Sequence, residues 1–278
     1  MTRREYTHVD VFTDRTFGGN QLAVFADAQD IDPDGMPAIA NELNLPETVF
    51  VLPATSGGDH RIRIFTPTRE LPFAGHPTVG AAYVLAGGHD RTLRLEETVG
   101  TLTVTVRDGF TEMEQPLPAF EPVADRAAVV AMLSLGDADL EPSLPIEVGS
   151  SGNRFMFVPV RSADAVRRAA PRGLTDAAYI FTTETIDPGS TVHGRMYAPW
   201  QGVAEDPATG SANGPLGAYL VRHGAVPVQP RTRVVVEQGL EMGRPSRLTV
   251  EVGVADGEVH AVRVGGGVRL VAEGTLYI

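Results

Sequence analysis

Three side chains in this sequence combine proton-transfer chemistry with settings that could bring it out. Glu47, in NLPETVF, stands directly before a strongly apolar run, where a carboxylate would lose much of its water. His76, in FAGHPTVGAAYVL, precedes small and apolar residues that read as a helix. An imidazole is a poor helix cap, and its ordinary pKa of about 6.5 suits proton transfer. Asp206, in EDPATGSANGPLGAYL, holds a comparable place ahead of a second such helix. A helix start leaves backbone N–H groups unpaired and carries partial positive charge, good for a carboxylate or a developing oxyanion. A plainer reading competes with each. Asp206 and Ser211 are also ordinary caps, proline fits a first turn, and a lone glutamate at a strand start commonly faces water.

Other chemistries find no support. The chain has no cysteine, which removes thiolate nucleophiles, disulfides and Cys-ligated zinc together. The seven histidines lie too far apart for an H-x-H or H-E-x-x-H site, and His193, His223 and His260 read as surface or packing residues. Neither G-x-S-x-G, G-x-G-x-x-G nor the P-loop pattern occurs, so a nucleophile elbow is missing and nucleotide binding finds little support. A net charge of -12 without a basic run argues against a nucleic-acid surface. No uncharged apolar run approaches the roughly 20 residues a membrane span needs, and MTRREYTHVDVF does not read as a signal peptide. The expectation is a cytoplasmic globular protein acting on a small molecule.

The elements that would position these residues repeat along the chain. Gly19-Asn20 and Gly152-Asn153 each precede an apolar strand, and each is followed after a similar interval by AGHPTVGAAYVL or ATGSANGPLGAYL. Alternating segments with a turn come next, LRLEETVGTLTVTV and VVVEQGLEMGRPSRLTVEV. Three matches in one order point to a duplicated unit. Period-two alternation predicts strands over 8–12, 21–25, 49–52, 61–65 and 101–106, then 154–158, 178–182, 192–197, 233–237 and 248–252, with two more at 258–264 and 268–272. Helices are predicted over 34–43, 125–133 and 162–168, besides 78–86 and 214–221. The last two carry no charge on any face, so sheet must wrap them. Gly80, Gly214 and Gly217 would let strands approach closely. The fold class is α/β (α+β), two similar domains, each a curved mixed sheet around a central apolar helix. A linker is expected within 115–125, where three prolines fall.

At this level the chain resembles the PhzF-like phenazine-biosynthesis isomerases, relatives of diaminopimelate epimerase and proline racemase. The resemblance runs through YTHVDVFTDRTFGGNQLAVF, NLPETVF, TPTRELPFAGHPTVGAAYVL and EDPATGSANGPLGAYL, four motifs in family order. It implies domains over 1–118 and 119–267, with 268–278 free to join the first. It implies an active site between the domains, no cofactor or metal, and often a homodimer. Glu47 would be the principal acid/base, His76 and Asp206 its catalytic partners, and Asn20, Gly75, Gly210 and Ser211 would bind substrate. The activity implied is isomerisation of trans-2,3-dihydro-3-hydroxyanthranilate, a proton leaving C3 and returning at C1. Pro46 stands where many relatives carry serine, which bears on substrate fit. The related epimerases use two cysteines, absent here. An epimerase or racemase using Glu47, His76 and Asp206, and a non-catalytic binding protein, remain alternatives.

Overall fold

The computed structural model describes residues 2–199 and 203–278. The chain forms two compact units, Met1–Glu114 with Gly265–Ile278, and Gln115–Val264.

The first unit runs β1 (Arg3–Val11), β2 (Asn20–Phe25), α1 (Met36–Leu43), β3 (Glu47–Pro53), β4 (His60–Phe65), β5 (Glu70–Leu71), α2 (Gly75–Ala86), β6 (Arg91–Glu97), β7 (Gly100–Arg107) and β8 (Phe110–Gln115). Pairing alternates along the sheet. β1–β2 is antiparallel, β2–β3 parallel, β3–β4 antiparallel, β4–β6 parallel and β6–β7 antiparallel. These strands curve around α2, which is buried on nearly every side. Its lack of charge is therefore a packing requirement, since a helix with no wet face has no place for one. Gly80 is fixed by the same closeness. A Cβ there would stand 2.5 Å from Leu22 Cδ2 and 2.8 Å from Val11 Cγ2. On the outer face, α1 covers a second cluster in which Phe25 and Phe50 stack at 5.0 Å and Phe65 meets Phe50 edge-on.

The second unit repeats the plan. It contains β9 (Ala119–Pro122), α3 (Arg126–Met132), β10 (Glu147–Ser150), β11 (Arg154–Pro159), α4 (Ala163–Arg168), β12 (Ala178–Thr182), β13 (Val192–Ala198), β14 (Val203–Asp206), α5 (Gly210–Arg222), β15 (Arg231–Gln238), β16 (Ser246–Ala255) and the start of β17 (Glu258–Tyr277). β10–β11 is antiparallel, β11–β12 parallel, β12–β13 antiparallel, β13–β15 parallel and β15–β16 antiparallel. This is the same sequence of pairings as in the first unit. The helix α5 is buried through its whole length to Val221. A Cβ at Gly217 would meet Val250 Cγ1 at 2.6 Å, and one at Gly214 would overlap the Gln115 side chain.

Several expected boundaries shift. Both central helices begin earlier than their apolar runs, at Gly75 and Gly210, because glycine and proline are tolerated in a first turn. The two strands expected at the C-terminus are one, β17, whose later part pairs with β1 from Val268 to Tyr277. The stretch 115–125 is not a bare linker. Its residues Ala119–Pro122 pair with β10 as β9, an edge position that tolerates proline. Helices α3 and α4 start at the expected caps, with Asp125 accepting from Ala128 N–H and Ser162 from Ala165 N–H, whereas α1 starts at Met36, after Gly35 and without a side-chain cap.

Candidate active site

Glu47 is the first residue of β3, and its side chain is only 13 % exposed. The parallel pairing with β2 sets Glu47 opposite Leu22, two residues beyond Asn20 at the start of β2. His76 is the second residue of α2 and is 5 % exposed at its side chain. Sheet and helix thus bring three of the sequence candidates together. His76 Nε2 lies 3.1 Å from Glu47 Oε2, and its Nδ1 lies 3.1 Å from Asn20 Nδ2. An amide NH2 only donates, so Nδ1 accepts and the imidazole carries its proton on Nε2, toward Glu47. The Nε2–Oε2 approach is close but off the line of a good hydrogen bond. Such contacts commonly align only when a reacting molecule is present.

The first turn of α2 is arranged around His76. Ala74, at the N-cap, offers no side-chain cap, and Pro77 has no N–H. The Ala74 carbonyl accepts from Thr78 twice, from its N–H at 3.3 Å and from its Oγ1 at 2.7 Å. Gly75 sits at the first helical position, where its N–H has no partner within the helix.

The remaining candidates belong to the second unit. Asp206 ends β14, and Gly210 and Ser211 open α5. Asp206 Oδ2 accepts from Thr209 Oγ1 at 2.6 Å. Thr209 is in turn held by Gln238, whose Nε2 donates to Thr209 Oγ1 at 3.0 Å and to the Asp206 carbonyl at 2.7 Å. The other end of the Gln238 amide accepts from Tyr179 Oη, Thr209 N–H and Asn213 Nδ2. Burial pushes the Tyr179 phenol far above its ordinary pKa, so this hydroxyl serves as a donor. Gln115 Nε2 bonds the Gly210 carbonyl at 3.0 Å, and only glycine at position 214 leaves room for it.

Sequence reasoning did not single out Gln238, Thr209, Asn213, Tyr179 or Thr78. The one available signal was a polar Gln closing the apolar run VVVEQ. His193, expected as a surface or packing residue, is a packed one with polar partners. It is buried at 1 % exposure between Glu237, 3.2 Å from Nδ1, and Glu241, 3.0 Å from Nε2. No group of three His, Asp or Glu among the described residues is arranged to hold a metal ion. No described helix is long and apolar enough to cross a membrane.

Comparison with known proteins bears on this arrangement. Residues 9–274 match the family described as phenazine biosynthesis-like protein. The chain belongs to that family. It is 38 % identical to a trans-2,3-dihydro-3-hydroxyanthranilate isomerase of Pseudomonas aeruginosa, over 98 % of this chain and 99 % of that one. A crystal structure of the Bacillus anthracis phenazine biosynthesis protein of the PhzF family superposes with a TM-score of 0.92 at 30 % identity, covering both chains fully. The fold also matches a hydroxyproline epimerase from Agrobacterium vitis, TM-score 0.66 at 14 % identity, over 99 % and 91 % of the two chains. That last likeness concerns the epimerase-like fold alone. The family chain described here is an isomerase.

Proposed function

We propose that this isomerase moves one proton within a small carboxylate-bearing ring, without net change in mass, and that Glu47 carries it. The observation that supports the reading is the Asn20–His76–Glu47 series, with His76 Nε2 only 3.1 Å from Glu47 Oε2 and both side chains nearly enclosed. Trans-2,3-dihydro-3-hydroxyanthranilate or a close analogue is the substrate this reading favours, by analogy with the Pseudomonas aeruginosa relative.

In the first step the Glu47 carboxylate takes the C3 proton. The electron pair left behind spreads through the conjugated double bonds toward C1, and Glu47 becomes a neutral acid. In the second step Glu47 returns that proton at C1, the double bonds having moved, and the carboxylate is restored. A single enclosed carboxyl can do both, because scarce water slows loss of the proton to solvent. His76, protonated on Nε2, steadies Glu47 in its ionised state and releases it as the proton is taken up. Gly75 N–H at the start of α2 favours charge developing on the substrate carboxylate. Asp206, Gly210 and Ser211 take part in the same reaction by family resemblance, Asp206 orienting the substrate's amine or hydroxyl.

The test is turnover of trans-2,3-dihydro-3-hydroxyanthranilate by the wild type and by Glu47→Gln, followed by chromatography of the equal-mass product. Conversion by the wild type and its loss in the variant are expected. Parent-rate conversion by Glu47→Gln would remove the role assigned to Glu47.

A further inference from the structure

Two adjacent glutamates at the end of β6 are held in opposite ways. Glu96 accepts from the backbone N–H groups of Thr55, Ser56 and Gly58 and from Thr55 Oγ1. Those donors, the Thr55 amide foremost, pull its pKa down to about 2. Glu97 has no such cradle. The residue as a whole is only part-buried at the strand end, yet its carboxyl is enclosed, and Oε2 has neither solvent nor a hydrogen-bond donor. Its one partner is Thr78 Oγ1, on the first turn of α2.

A count of protons decides the state of this contact. The Thr78 hydroxyl has one hydrogen, while two acceptor oxygens lie within bonding distance, the Ala74 carbonyl and Glu97 Oε1. A carbonyl cannot donate, so when the Thr78 hydroxyl points to the Ala74 carbonyl, beside the Thr78 N–H already bonded there at 3.3 Å, the hydrogen toward Glu97 is Glu97's own. An ionised carboxylate would leave Oε2 buried and unsolvated, whereas a neutral acid places its carbonyl oxygen there at far smaller cost. We propose that Glu97 is a neutral acid donating to Thr78, and a positioning residue that locks the α2 start and keeps its positive field available to a substrate carboxylate. This rests on the reading that a carboxylate-bearing substrate meets that helix start.

Burial raises the Glu97 pKa to about 8, and in the ionised state donation by Thr78 opposes that rise. The titratable groups on elements packed around it are His76 and Tyr83 of α2, His60, Arg61 and Arg63 of β4, Arg91, Arg94 and Glu96 of its own strand and Arg107 of β7, with Glu47 beyond His76. Arg63 is tied to Glu70, Glu96 to backbone amides and His76 to Glu47. No neighbouring charge contributes to the Glu97 shift. Once Glu97 ionises, the Thr78 hydroxyl turns its hydrogen to the new carboxylate, and the Ala74 carbonyl keeps only the Thr78 N–H. A negative charge then stands beside the helix start and opposes an incoming anion.

The experiment uses the full chain with glutamate carboxyl carbons labelled for NMR. One carboxyl should titrate near 8 and be missing from Glu97→Gln. Should that variant not fold, Thr78→Val removes the acceptor and should move this resonance alone. Titration of every glutamate in the ordinary acid range, or a high-pKa resonance that neither variant changes, overturns the neutral acid. Anthranilate is the binding probe, measured calorimetrically. Its Kd in the wild type should rise about two- to five-fold from about pH 7 to about pH 9, with no rise in Glu97→Gln. During turnover the same dependence should appear in KM and leave kcat unchanged. An equal rise in both proteins overturns the positioning role while the neutral acid stands. Failure of anthranilate to bind at any pH counts against the substrate class of the proposed reaction and removes the ligand link, leaving the NMR result to decide protonation.

Discussion

The starts of α2 and α5 occupy the same place in two units built by one order of strand pairings, yet their chemistry differs. In the first unit, the strand parallel to β2 begins with Glu47 and the second helical residue is His76. In the second, the strand parallel to β11 begins with Ala178 and the second helical residue is Ser211. The α2 start therefore holds two titratable groups in an off-line contact, with a third, Glu97, enclosed nearby. The α5 start holds one carboxylate, Asp206, bonded to Thr209 within a network of amides and hydroxyls around Gln238. Duplication of a fold fixes where helix starts and strand ends meet. It leaves each copy free to place different side chains there, and in this chain the two starts carry different sets.

Unequal substitutions test that contrast most strongly. Glu47→Gln should lower kcat by about 10²- to 10⁴-fold, the range for loss of a general acid/base, while the melting temperature stays close to the parent value. Ser211→Ala, at the matching helix start, should act on KM far more than on kcat; steady-state kinetics on both variants checks the difference. In the second unit, Gln238→Leu should cost about 1 to 3 kcal/mol, because Tyr179, Thr209 and Asn213 each lose a buried partner. Denaturant unfolding measures that loss, and a stability unchanged from wild type would contradict the network described.

Equal substitutions test the shared frame. Gly80→Ala and Gly217→Ala each push a methyl against strand side chains, so both should destabilise by roughly 1 kcal/mol or more. A large effect at one and none at the other would show that the two helices are not wrapped alike. A further effect expected is one of pH. Glu97 binds its proton more tightly folded, at about 8, than at the ordinary 4.5, so the stability this provides is complete below about pH 4.5 and is lost as pH rises toward 8. The melting temperature of the wild type should therefore fall relative to Glu97→Gln across that window, by an amount thermal scans at several pH values would read.

Much of this was legible in the residues. Charge-free runs at TVGAAYVLA and GPLGAYLV required enclosure, and both helices are enclosed. Alternation in RTLRLEE and GTLTVTVR marked strands that pair as a hairpin. Helix starts were harder to read, because glycine and proline weaken the helical signal in the turns that matter here. Edge strands such as Ala119–Pro122 escaped because their residues satisfy only one neighbour and carry no periodicity. Gln238, Thr78 and Glu97 were out of reach for a different reason. Their roles come from partners at remote sequence positions, Asp206 and Thr209 for the first, each other for the last two. A single chain of letters holds no sign that a glutamate in LRLEET is enclosed while its neighbour is bathed in amide donors.

The central claim is that one carboxyl, Glu47, removes and returns the same proton. Trans-2,3-dihydro-3-hydroxyanthranilate carrying deuterium at C3, incubated with the full-length enzyme in ordinary water, tests it directly. The account predicts a product in which part of the deuterium has moved to C1, with no such product from Glu47→Gln. Inversion at one carbon with solvent hydrogen incorporated and the double bonds unmoved, or undiminished deuterium transfer in the variant, would contradict it.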